Sequence, residues 1–137
     1  MSGAATSERA VEGVTRLRVA EGPLLRPVLC RVVSMVLTRA DWPLDRLEEA
    51  LLVCDALCAQ ERSGGNGHGR LTFNVESDGR AAELRVCELT PAHAQKLLHD
   101  ARLPLVGNVL ERVAERVTIE PDPAGSRTHL AIALSAS

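Results

Sequence analysis

Aromatic residues are nearly absent: one Trp, one Phe and no Tyr in 137 residues. Proteins that read single-stranded nucleic acid stack bases on several rings, and Trp42 and Phe73 are too few to build such a platform. An excess of one charge is also missing. With 16 Lys+Arg against 18 Asp+Glu and a formal net charge of −2, no whole-chain field draws in phosphate backbones or anionic lipid. Long hydrophobic runs do not occur either. The stretches 32–37 and 50–57 are broken by Ser34 and Asp55 and fall short of the ~20 apolar residues that cross a bilayer. The N-terminus has no basic start followed by an apolar region, so a cytoplasmic location is the expectation.

The four cysteines, Cys30, Cys54, Cys58 and Cys87, show no C-x-x-C spacing. Their simplest role is that of small buried hydrophobes. Cys54 and Cys58 are four apart and share one face of a helix, but the histidines at 68, 93, 99 and 129 have no spacing that completes a zinc site with them.

What is present suits a single soluble domain. The hydrophobic fraction of 45% is enough to fill a core at this length, and we expect a loose N-terminus over 1–10 followed by one domain over 11–135. Val14, Leu17 and Val19 suggest a first strand. The spacing of Leu25, Val28, Leu29, Val32, Val33 and Val36 predicts a helix over 23–39. Trp42-Pro43 interrupts it, because a residue before proline is driven out of helical space. A second helix follows, with Leu44, Leu47, Leu51, Cys54 and Cys58 as its apolar stripe and Asp45, Glu48 and Glu49 near its positive end. The glycine-dense 64–69 ends that helix.

Residues 71–75 and 82–86 alternate around an Asp78-Gly79 turn and predict a hairpin. Thr90 and Pro91 are suited to the N-cap and first position of a helix over 91–101. Val109, Leu110, Val113 and Val117 predict another helix over 106–116, and 117–120 with 128–134 a closing hairpin. The order β-α-α-β-β-α-α-β-β lacks βαβ alternation. The expected class is therefore α+β: a two-layer sandwich with helices on one face of a mixed, mostly antiparallel sheet.

Three stretches carry a resemblance over about residues 14–134. They are 24–29 with 41–53, the strand 82–88, and 109–134 with its Pro-Asp-Pro-x-Gly turn. Together they resemble the GHKL (Bergerat-fold, histidine-kinase/HSP90-like) ATP-binding domains, most of all the bacterial anti-sigma-factor serine kinases that act by partner switching. The resemblance implies a general-base Glu on the second helix and, one turn later, a Mg²⁺-binding Asn. Those positions fall on Ala56 and Gln60, with Asp55 and Glu61 the nearest acids. It also implies an adenine-binding Asp followed by glycines, which falls on Glu88 with Pro91 close behind. Last comes a Gly-x-Gly that offers backbone N–H groups to phosphate, which falls on Pro104, Leu105 and Val106, with Gly107 just beyond.

Alanine accepts no proton, and glutamine carries its amide oxygen one methylene too far. Proline lacks both the N–H and the freedom of φ. All three boxes depart in the same direction. The expectation is a regulatory protein-binding module, without kinase activity and without a resident cofactor, that holds a sigma factor or a STAS-type antagonist. Its vestigial pocket would be bordered by Gln60, Glu88, Pro104, Val106 and Gly107, and pairing of two copies through the first strand is a further expectation. The alternatives are an active kinase that uses ATP and Mg²⁺, and an unrelated small α+β domain.

Overall fold

A computed structural model describes residues 14–58, 69–103, 107–121 and 127–137. The loose N-terminus expected over 1–10, the glycine-rich stretch up to His68 and the Pro-Asp-Pro-x-Gly turn after Pro121 lie outside the described residues. In chain order the elements are β1 (Val14–Ala20), α1 (Leu25–Arg39), α2 (Leu44–Leu57), β2 (Arg70–Ser77), β3 (Ala81–Leu89), α3 (Pro91–Asp100), β4 (Arg102–Leu103), β5 (Gly107–Asn108), α4 (Val109–Val113), β6 (Arg116–Pro121) and β7 (Thr128–Ser135). No described helix is long and apolar enough to cross a membrane.

Five strands form one sheet in the order β1-β2-β3-β7-β6. The two-layer α+β class is as expected. The mixed character is not: every ladder among the described residues is antiparallel. The pleat sorts the two faces. One row, Leu17–Phe73–Val86–Leu130–Ile119, runs across all five strands on the side that faces the helices, and the neighbouring row Arg16–Asn74–Arg85–Ala131–Thr118 lies on the other. Phe73, Val86 and Leu130 are fully buried. On the opposite face Arg85 donates to Glu83 and to Glu120, both at 2.8 Å, and this guanidinium holds the Glu120 carboxyl below its ordinary range.

Helix α1 faces the sheet with Leu25, Leu29, Val33 and Leu37, an i, i+4 column that makes a continuous apolar edge. It ends in a Schellman motif. Trp42 N–H donates to the carbonyl of Leu37 and Asp41 N–H to that of Thr38, each at 3.1 Å, with Asp41 in the left-handed region at φ 59°. Aspartate tolerates that conformation better than most side chains. The apolar contact that usually accompanies the motif is supplied by two buried residues, Trp42 and Leu37. Trp42 also anchors the first hairpin, since its indole N–H donates to the carbonyl of Asp78 at 2.8 Å. The Asp78 carboxylate closes that hairpin by accepting from Arg80 N–H at 2.7 Å and Ala81 N–H at 2.9 Å. These bonds lower its pKa.

Three local readings are corrected. Helix α1 begins at Leu25 rather than at Pro23. The buried face of α2 is Ala50, Val53, Cys54, Ala56 and Leu57, whereas Leu44, placed on the apolar stripe, is 68% exposed. The cause is that α2 packs against α1, α3 and α4, so small side chains on its inner face let neighbours approach. The helix expected over 106–116 exists only as the single turn α4. Ala114 is already extended at φ −72°, ψ 142°, and Val117 pairs with Ile132 as a strand residue. Cross-strand pairing along the sheet edge outweighs helical spacing there, since short helices gain little on their own.

Candidate functional site

Two regions bear on chemistry or binding: the seam and outer surface of the α1/α2 hairpin, and the two ends of α3. Ala56 lies on the inward face of α2 with 2% of its surface exposed, so the position at which the resemblance would put a general base points into the core. Asp55 is its neighbour in sequence, turned ~100° around the helix. There its carboxylate forms an ion pair with the Arg26 guanidinium of α1. Gln60 and Glu61 lie outside the described residues, as do Pro104 and Val106.

Glu88 sits in a β-bulge. Between the pairs Val86↔Leu130 and Leu89↔Thr128, β3 spends two residues, Cys87 and Glu88, where β7 spends only His129. The bulge forces Glu88 to φ 60°, and its N–H donates to His129 Nδ1 at 3.4 Å. Thr128 Oγ1 donates to the carbonyl of Leu89 at 3.3 Å just beyond. The chain then enters α3, where Thr90 caps the helix by accepting from His93 N–H at 3.1 Å.

Gly107 is found past the far end of α3, at φ 83°, in the two-residue ladder of β4 with β5. The positive φ is why glycine stands there. Ten residues of helix lie along the chain between Glu88 and Gly107, a rise of about 15 Å. Asn108 follows and ties the helices together. Its side-chain oxygen accepts from Glu111 N–H at 3.2 Å to cap α4, and its amide donates to the carbonyl of Leu98 in α3 at 3.1 Å. A pocket of about 200 Å³ opens elsewhere, beside Trp42, Arg46, Glu49, Val113 and Glu115. None of the candidate residues lines it.

The α1/α2 seam holds a second constellation. Cys30 of α1 is half-buried, Cys54 of α2 and Cys58 at its C-cap are buried, and none of them is in a disulfide. Interaction with the Cys54 thiol, and then the Arg26 charge, hold the Cys30 thiol below its ordinary value against partial burial and the Asp55 charge. The same interaction, with burial, pushes Cys54 well up. Among the described residues, no group of three or more His, Cys, Asp or Glu is arranged to hold a metal ion.

Four large apolar side chains in or beside the two helices are individually exposed: Leu24 at 69%, Met35 at 50%, Leu44 at 68% and Leu52 at 38%. Helix α1 carries Arg26, Arg31 and Arg39 with no acid, whereas α2 carries Asp45, Glu48, Glu49 and Asp55 against Arg46 alone. The partition of charge was readable from the sequence. The exposed leucines were missed, because Leu44 had been placed on the inner stripe.

No protein-family model matches this chain, and no curated protein does. Among solved structures, the fold is similar to a chain in the crystal structure of the SiaB-SiaC complex from Pseudomonas aeruginosa, with 10% identity and a TM-score of 0.43. The likeness covers 87% of this chain and 89% of that one.

Proposed function

We propose that the chain is a regulatory protein-binding module that acts through the outer surface of the α1/α2 hairpin and holds a sigma factor or a STAS-type antagonist without phosphorylating it. The observation that carries this reading is the set of exposed apolar residues Leu24, Met35, Leu44 and Leu52 on a surface whose two helices bear opposite charge. Apolar anchors within a charged rim are what protein interfaces use: the anchors supply affinity, and the rim sets orientation and encounter rate. Ala56 supports the non-catalytic part of the proposal. A methyl group in the core neither takes a proton from a serine hydroxyl nor binds a metal.

The test is titration calorimetry of the purified chain against purified sigma factors and STAS proteins, with Met35→Asp and Leu52→Asp as surface variants. A charge placed on an apolar anchor is expected to weaken binding by tenfold or more, on the order of 1.4 kcal/mol or above. Titration with ATP and Mg²⁺ is the counter-test. Sub-millimolar, metal-dependent nucleotide binding overturns the proposal in favour of a serine kinase. The outer edge of β1 offers backbone groups for a second copy, and sedimentation of a monomer at high concentration removes that part.

A further inference from the structure

We propose that the outer surface of the α1/α2 hairpin is self-complementary and that, when no other partner is present, a second copy of this chain covers it. The inference rests on the reading that this surface is where proteins dock, and it names the first occupant. Helix geometry sets out the surface. At about 100° per residue, Leu24, Arg31 and Met35 project within about 40° of one another, on the side of α1 opposite its buried column Leu25, Leu29, Val33 and Leu37. On α2 the residues opposite the buried face are Leu44, Glu48 and Leu52, four apart and therefore one above another. All six are exposed. Each helix thus shows a charge between two apolar side chains, and the two charges have opposite sign. Arg26 is held by Asp55 and Arg46 by Glu49, whereas Arg31 and Glu48 take part in no ion pair among the described residues.

The ion pair of Arg26 with Asp55 joins the first turn of α1 to the last turn of α2, so the helices are antiparallel and heights along them can be compared. Counted from that pair at about 1.5 Å per residue, Arg31 and Glu48 differ in height by about 3 Å, and so do Met35 and Leu44. A two-helix layer stacks on its own copy about a two-fold axis in either of two ways. An axis across the helices sets α1 on α1, which brings the arginines of one copy against those of the other, and like charges repel. An axis along the helices sets α1 of each copy on α2 of the other with heights unchanged. Arg31 then meets Glu48, and Met35 meets Leu44, on both sides at once. The contact is isologous, and complementary charge selects the second axis. A regulatory partner that docks on the same side chains must displace the second copy.

Sedimentation velocity of the full chain at low and high concentration, with no partner added, is the test. The expected result is a reversible dimer that added salt weakens. Met35→Asp and Leu52→Asp are expected to weaken it about tenfold or more. Arg31→Glu and Glu48→Arg each weaken it by less, whereas the two together on one chain restore it, because the signs are then exchanged on both sides of the contact. An equimolar mixture of those two single variants associates more tightly than either alone. A chain that is monomeric at every concentration overturns the inference, and so does a dimer that none of these substitutions weakens, as pairing at the β1 edge would give. A double variant as weak as the single ones overturns it as well, since α1 would then lie on α1. Calorimetry against sigma factors and STAS proteins reads the docking surface separately. A chain that stays monomeric, yet binds one of them and loses that binding with Met35→Asp, sinks this inference and leaves the proposed function standing.

Discussion

Replacing Asn108 by Ala removes two hydrogen bonds from a side chain that is only 7% exposed. The first is the cap on α4, where the side-chain oxygen accepts from Glu111 N–H; loss of an N-cap typically costs about 1 kcal/mol. The second is the amide donated to the carbonyl of Leu98. That carbonyl belongs to the last turn of α3, where the helix supplies no partner of its own. Left unpaired in a part-buried setting, it costs about 1–3 kcal/mol. The sum is about 2–4 kcal/mol, a substantial part of the ~5–15 kcal/mol that holds a domain together. Urea unfolding with linear extrapolation measures it, provided the slope is unchanged. Asn108→Asp separates the two contributions, since a carboxylate still caps α4 but offers no N–H to Leu98, and should fall between parent and Ala variant. An Ala variant within about 0.5 kcal/mol of the parent, or an Asp variant no better than Ala, refutes the double-cap account.

Further outcomes follow from the same geometry. Phe73→Ala empties the middle of the sheet's inner face, where the ring is 1% exposed, and is expected to cost about 3–5 kcal/mol in the same assay. Ala56→Glu, which places an acid where the resemblance would put a general base, forces a longer and charged side chain into a core position. It is expected to destabilise by at least about 1–3 kcal/mol without creating ATP binding in calorimetry. A stable variant that binds ATP would mean that Ala56 borders a cavity. The Asp78 carboxyl has a folded pKa below its ordinary value of 3.8 because the backbone N–H groups of Arg80 and Ala81 favour its charged form. Its contribution is therefore complete above that ordinary value and is lost as pH falls through the lower folded one. The difference in urea midpoint between the parent and Asp78→Asn should be present at neutral pH and shrink below about pH 3.8. A difference that is constant down to pH 2 counts against it.

The legible parts of the fold were those whose local chemistry agrees with their surroundings. Asp78-Gly79 between two alternating runs marks a hairpin wherever it occurs, and Thr90-Pro91 marks a helix start. Both appear where expected. The stretch 114–116 was misread as helix because the valines at 109, 113 and 117 are four apart, and only the neighbouring β7 decides where the strand takes over. Leu44 was misplaced for a related reason, since which face of an amphipathic helix is buried depends on all its neighbours, and α2 has three. Glu88 and Gly107 were named only through the family resemblance, and the bulge and positive φ found at them depend on pairings with β7 and β4 that local sequence does not carry.

The strand order has a consequence for how the molecule is made. β7 fills the gap between β3 and β6, yet a ribosome produces it after all the other strands. Until it emerges, β3 has one open edge, and β6 has nothing in the sheet to lean on. The pairing that closes the sheet, such as Leu84 with Ile132, joins positions about fifty residues apart and pays the entropy of a long loop before any reward arrives. A nascent chain stalled just short of Thr128 would therefore display an unfinished three-strand sheet with a greasy flank, the kind of surface that chaperones recognise and that neighbouring nascent chains stick to.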